Sequence, residues 1–173
     1  MASYYYLISS LPMLRTQGEP PMDYATFLSQ CRSAVSEGTY KTLEELTVRS
    51  GKGPLLSEWG EFYQSLSREL TYQRSVKLGR VCPVPSDRDS GIVQAVTAAV
   101  NAENPLEGER LLLVLEFRRL DDMIGLHNFD EYALYGYAMK LQLLERQRTF
   151  RYDRGKQAFD GLMDNIRQQI SSL

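Results

Sequence analysis

The sequence predicts an all-α protein, a bundle of about six to seven helices. Three observations carry this reading. Apolar residues recur at i, i+3, i+4 and i+7 along most of the chain, capping residues stand in front of those stripes, and no convincing strand partner exists for the one ambiguous run, residues 4–11.

Residues 4–11 are aromatic and apolar and fit a helix or a buried extended arm. Asp23 can cap a helix over 23–37, with Tyr24, Phe27, Leu28, Cys31, Ala34 and Val35 on one stripe and Gly38 as its left-handed terminator. Thr42 and Glu45 have capping-box spacing before a short helix carrying Leu43 and Leu46. Ser50-Gly51-Lys52-Gly53-Pro54 breaks the chain. A long helix follows over 55–78, with Leu55, Leu56, Trp59, Phe62, Tyr63, Leu66 and Leu70 inward and Gly79 at its end. Ser86 or Asp87 can start a helix over 90–102 that buries Ile92, Val93, Val96, Ala99 and Val100. Asn104-Pro105-Leu106-Glu107 is a strong start for a helix over 105–124, stopped by Gly125. Asn128 and Glu131 form another capping box, opening a helix over 129–150, and Phe159, Leu162, Met163, Ile166 and Ile170 mark a last one over 156–170. The core should contain Trp59, Phe62, Leu66, Leu113, Phe117, Leu120, Leu141 and Leu144. Residues 1–79 then form an N-terminal helical lobe, 80–89 a connector with two prolines and no period, and 90–173 a C-terminal helical lobe.

Composition narrows the function. The net charge of -2 sets up no global basic field for nucleic acid or anionic lipid, and 43% apolar residues are enough to build a core. Cys31 and Cys82 have no CxxC spacing and read as small hydrophobes of a reducing compartment. The N-terminus has no positive segment leading into an apolar stretch, and no apolar run approaches the about 20 residues of a membrane span. A cytoplasmic chain is expected.

The residues that could carry chemistry have simpler explanations. His127, the sole histidine, stands in a turn after Gly125, with no serine or cysteine tied to it by a motif. Glu107, Glu109, Glu116, Asp121 and Asp122 lack the Glu-x-x-His partners of a helical di-metal site, and read as a solvated face paired with Arg110, Arg118 and Arg119. Gly51-Lys52-Gly53 is a turn, since a phosphate loop needs GxxxxGK[ST] after a strand. No catalytic residue, cofactor or metal site is therefore expected. One basic run stands out: Lys140, Arg146, Arg148, Arg151, Arg154 and Lys156, interleaved with Phe150 and Tyr152. It reads first as a solvated or protein-docking face; the alternative is an RNA-binding or general helical adaptor.

Two stretches carry a family resemblance. One is Tyr4-Tyr5-Tyr6-Leu7-Ile8-Ser9-Ser10-Leu11-Pro12-Met13-Leu14 with Asp23-Tyr24-Ala25-Thr26-Phe27. The other is Glu116-Phe117-Arg118-Arg119-Leu120-Asp121-Asp122, then Phe129-Asp130, then Tyr137-Ala138-Met139-Lys140-Leu141-Gln142-Leu143-Leu144-Glu145-Arg146. Together they resemble a bacterial family of uncharacterised proteins encoded among V-type (A/V-type) ATP synthase subunits. That family is in turn similar to the C subunit of the enzyme, subunit d in eukaryotes, a longer funnel of helical modules that sits on the rotor ring and grips the central axle. The resemblance implies a non-catalytic subunit or assembly factor of a V-type ATPase, an ion-transport machine, acting through stalk or rotor subunits. It would sit in the cytoplasm, peripheral to the inner membrane through that complex. Under this reading Lys140, Arg146, Arg148 and Arg151, with Tyr137, form an exposed face for an acidic helical partner, and charge reversal at Arg146 and Arg148 should leave folding unchanged.

Overall fold

The computed structural model describes residues 4–148 and 161–163. The fold is all-α, with no strand among the described residues; residues 4–148 form α1 (Tyr5–Ser10), α2 (Tyr24–Cys31), α3 (Glu37–Glu44), α4 (Leu56–Lys77), α5 (Ser90–Asn101), α6 (Pro105–Ile124) and α7 (Glu131–Arg148). None of these helices is long and apolar enough to cross a membrane. Residues 161–163 are helical; the rest of the expected 156–170 helix lies outside the described residues.

Helices α4, α5 and α6 pack on one another, α7 returns along α6 after the turn at Gly125, and α2 and α3 pack on α7. One apolar cluster runs through the fold, from Tyr4 and Leu7 through Phe27, Leu43, Trp59 and Leu66 to Val96, Leu113, Phe117, Leu120, Leu141 and Leu144. It draws on both sides of the 80–89 stretch, and all eight expected core residues are buried in it. Close backbone approach sets the α5–α6 crossing: a Cβ on Gly108 would lie 2.6 Å from the Ala99 carbonyl oxygen. A second such approach seats Gly51 on α4, where a Cβ on Gly60 would meet the Gly51 Cα at 2.9 Å. The Gly51-Lys52-Gly53 turn is thereby a packing element, reinforced by the Trp59 indole N–H, which donates to the Val48 carbonyl at 2.8 Å.

The helix starts differ from expectation where a nearer cap wins. The helix expected over 23–37 ends at Cys31, and Gly38 lies inside α3 rather than after α2, because the Ser36 hydroxyl accepts the Thr39 N–H and opens a new helix. Thr42 caps nothing; its hydroxyl donates back to the Gly38 carbonyl. Asp89, not Ser86 or Asp87, caps α5 by accepting from the Gly91 and Ile92 N–H groups. Asp130 rather than Asn128 caps α7, taking the Ala133 N–H at 3.2 Å. Residues 4–11 resolve to the helical alternative: Tyr4 buries against α3, and α1 begins one residue later.

Candidate protein-docking surfaces

The basic face expected on α7 is largely turned inward. Arg146 places its fork on the Glu116 carboxylate of α6, Nη1 donating to Oε1 at 3.0 Å and Nη2 to Oε2 at 2.6 Å. Glu116 is 1% exposed. Burial drives its carboxyl pKa up, and the adjacent guanidinium pulls it part of the way back. Burial opposes the Arg146 charge, but Glu116 outweighs it and the guanidinium is held above its ordinary value. Lys140 is 15% exposed; its ammonium bonds the Asp121 carboxylate and lies 5.6 Å from the Phe117 ring centre. The Tyr137 hydroxyl donates to the Pro12 carbonyl at 2.9 Å, and burial pushes its pKa up to about 12. Arg148 is exposed, and Arg151 lies outside the described residues. The residues expected to form one docking face are therefore divided. Lys140, Arg146 and Tyr137 tie α7 to α6 and to the N-terminal segment, and Arg148 faces solvent.

Three of the acidic residues of α6 pair between helices instead of along one solvated face. Glu116 takes Arg146, Asp121 takes Lys140, and Glu109 lies 3.7 Å from Arg74 of α4. Arg119 reaches Glu58 at 3.8 Å. Among the described residues no group of three or more His, Cys, Asp or Glu side chains is placed to hold a metal ion. His127 does local work in the α6–α7 turn: its ring stacks on Tyr132 at 4.3 Å and its Nδ1 bonds Asp130. Burial would raise the Asp130 carboxyl, but that bond and the Ala133 N–H hold it below its ordinary value. Cys31 and Cys82 are both free thiols; Cys31 is buried in the core.

A second buried acid, Glu69 of α4, receives Arg88 in the same forked way, Nη2 at 2.6 Å from Oε1 and Nε at 2.9 Å from Oε2. Arg88 also lies 5.1 Å from the Tyr72 ring centre. These contacts anchor the far end of the 80–89 stretch to α4. Sequence reasoning overlooked both buried acids, although a signal was present. Glu69 continues the stripe of Phe62 and Leu66, and Glu116 sits between Leu113 and Leu120 on the core-facing side of α6. A carboxylate on an apolar stripe demands a cation.

Exposed apolar side chains gather in two places. Tyr5, Tyr6, Leu126 and Phe129 lie at the α1 and α6–α7 turn end, with Tyr5 4.6 Å from Phe129. Val76, Leu78, Val81 and Val84 lie at the end of α4 and in the stretch after it. Compared with protein-family models, with curated proteins and with solved structures, the chain matches none.

Proposed function

We propose that the chain is a non-catalytic subunit or assembly factor of a V-type ATPase, acting by protein–protein contacts in the stalk region and held at the membrane only through that complex. One observation carries the reading: the stretches that bear the family resemblance, far apart in the sequence, form one packed unit. Tyr4 N–H donates to the Phe129 carbonyl at 2.7 Å, and Tyr24 N–H to Glu145 at 2.7 Å. Phe27 lies 5.5 Å from Tyr137, whose hydroxyl holds Pro12. Contact in space between the stretches that carry the resemblance supports reading them as one helical module and, with it, the proposed role.

The basic run that motivated the RNA alternative offers less charge than its spelling suggests. Lys140 and Arg146 are already neutralised by carboxylates, which leaves Arg148 among its described members to meet a phosphate. Affinity capture of the full-length chain from its native cells tests the proposal. ATPase stalk and rotor subunits should be recovered with it at moderate ionic strength.

A further inference from the structure

The surface formed by the second half of α4 and residues 80–85 joins apolar exposure to unspent positive charge. Val76, Leu78, Val81 and Val84 are all exposed, Val81 at 104%. Beside them runs a groove of about 450 Å³ between α4 and the extended stretch, lined by Arg68, Thr71, Tyr72, Cys82, Val84 and Pro85. The groove is held open from both ends. The Arg80 N–H donates to the Ser75 carbonyl at 2.9 Å, Arg88 is forked onto Glu69, and the Cys82 thiol faces the Tyr72 carbonyl at 3.8 Å.

The groove's lining holds the arginine Arg68 and no carboxylate. Arg68 bonds only its own helix, at Gln64 and Ser65, and Arg80 makes no side-chain hydrogen bond or ion pair among the described residues. Lys77 donates to the Val100 carbonyl, an uncharged partner. Of the acids around this end of α4, Glu69 is spent on Arg88, Asp89 on capping α5 and Glu109 on Arg74, while Glu103 stands with Lys77 and Leu78 outside the groove's lining.

We propose that this groove docks an acidic amphipathic segment of a partner protein. Its apolar side chains would cover Val81, Val84 and Tyr72, and its carboxylates would meet Arg68 and Arg80. A nucleic acid would satisfy the arginines but leave the valines wet, whereas a protein interface pairs an apolar centre with a charged rim. The groove's chemistry stands on the residues just described; the identity of the partner rests on the stalk-subunit reading.

Photocrosslinking tests this with the full-length chain. Val81→p-benzoylphenylalanine, irradiated in lysate of the native cells, should give an adduct whose partner peptide is rich in Asp and Glu with apolar residues at helical spacing. The double variant Arg68→Glu with Arg80→Glu should melt as wild type and lower the adduct at least tenfold, with Arg80→Glu alone giving an intermediate loss. An adduct on an acidic segment of an ATPase subunit upholds both proposals. An adduct on an acidic segment of some other protein upholds the groove and removes the ATPase reading. An adduct on a neutral or basic segment, on nucleic acid or on a second copy of the chain overturns the groove proposal, as does the absence of any adduct or a yield unmoved by the arginine changes.

Discussion

Arg146 of α7 closes a two-bond fork over Glu116 of α6, in a position where the carboxylate is 1% exposed. Together with the Lys140–Asp121 pair, this directional fork sets α6 and α7 in register. The first prediction follows from what a half-broken pair leaves behind. Arg146→Ala strands a buried carboxylate and should cost about 3–5 kcal/mol in a urea titration. Arg146→Met combined with Glu116→Leu should recover most of that loss, because a packed apolar pair needs no ion. Arg148→Glu, at an exposed position, should stay within about 0.5 kcal/mol of wild type. The charge reversal at Arg146 and Arg148, expected from the sequence to be silent, should therefore destabilise the fold through Arg146.

The α5–α6 crossing makes a second prediction. At Gly108 an added methyl would lie 2.6 Å from a backbone oxygen, so the helices must separate. Gly108→Ala should lower stability by about 1–3 kcal/mol by denaturant unfolding. Gly38→Ala, in a helical position with open space around its Cβ, should raise it by about 0.4–1 kcal/mol.

Acid should release the Glu69–Arg88 clamp. The Arg88 hydrogen bonds are the main reason the Glu69 carboxyl is held below its ordinary value, against the opposing pull of burial. A lowered folded-state pKa contributes stability that is complete above the unfolded value of about 4.3 and disappears as pH falls through the folded value. The melting-temperature difference between wild type and Glu69→Gln should thus be largest near about pH 7 and shrink towards about pH 3. A difference that stays constant across that range would remove the ionic clamp from the account.

The two thiols should differ sharply. Cys31 is 0% exposed, and burial pushes its pKa up to about 12; Cys82 is half-buried on the groove. At about pH 8, a chromogenic disulfide should titrate one thiol per native chain, at Cys82, and the second only after denaturation. Two fast thiols would mean that α2 does not seal Cys31.

Much of this fold is legible in spacing. Leu56, Trp59, Phe62 and Leu66 announce α4, and Asn104-Pro105 places the start of α6 at the observed residue. Local competition hides the rest. Gly38 looks like a terminator, yet the Ser36 hydroxyl, two residues earlier, starts a helix through it. The fate of the basic residues of α7 was less legible because side-chain pairing spans the chain. Nothing near Arg146 reveals that Glu116, 30 residues earlier, will use it. Val81 and Val84 stand among Pro83 and Pro85, outside any helix, so their exposure appears only once the 80–89 stretch is seen lying on α4.

Membership of a V-type ATPase is the proposed role. The most direct measurement is the protein content of that ATPase, purified from the chain's native cells through a tag on a catalytic subunit and followed by quantitative mass spectrometry across gel filtration. The account predicts that the chain co-elutes in a fixed ratio to the stalk subunits, or, if it acts in assembly, that its deletion sharply lowers the yield of the intact complex. A chain absent from every ATPase fraction, together with an undiminished complex in the deletion strain, would contradict it.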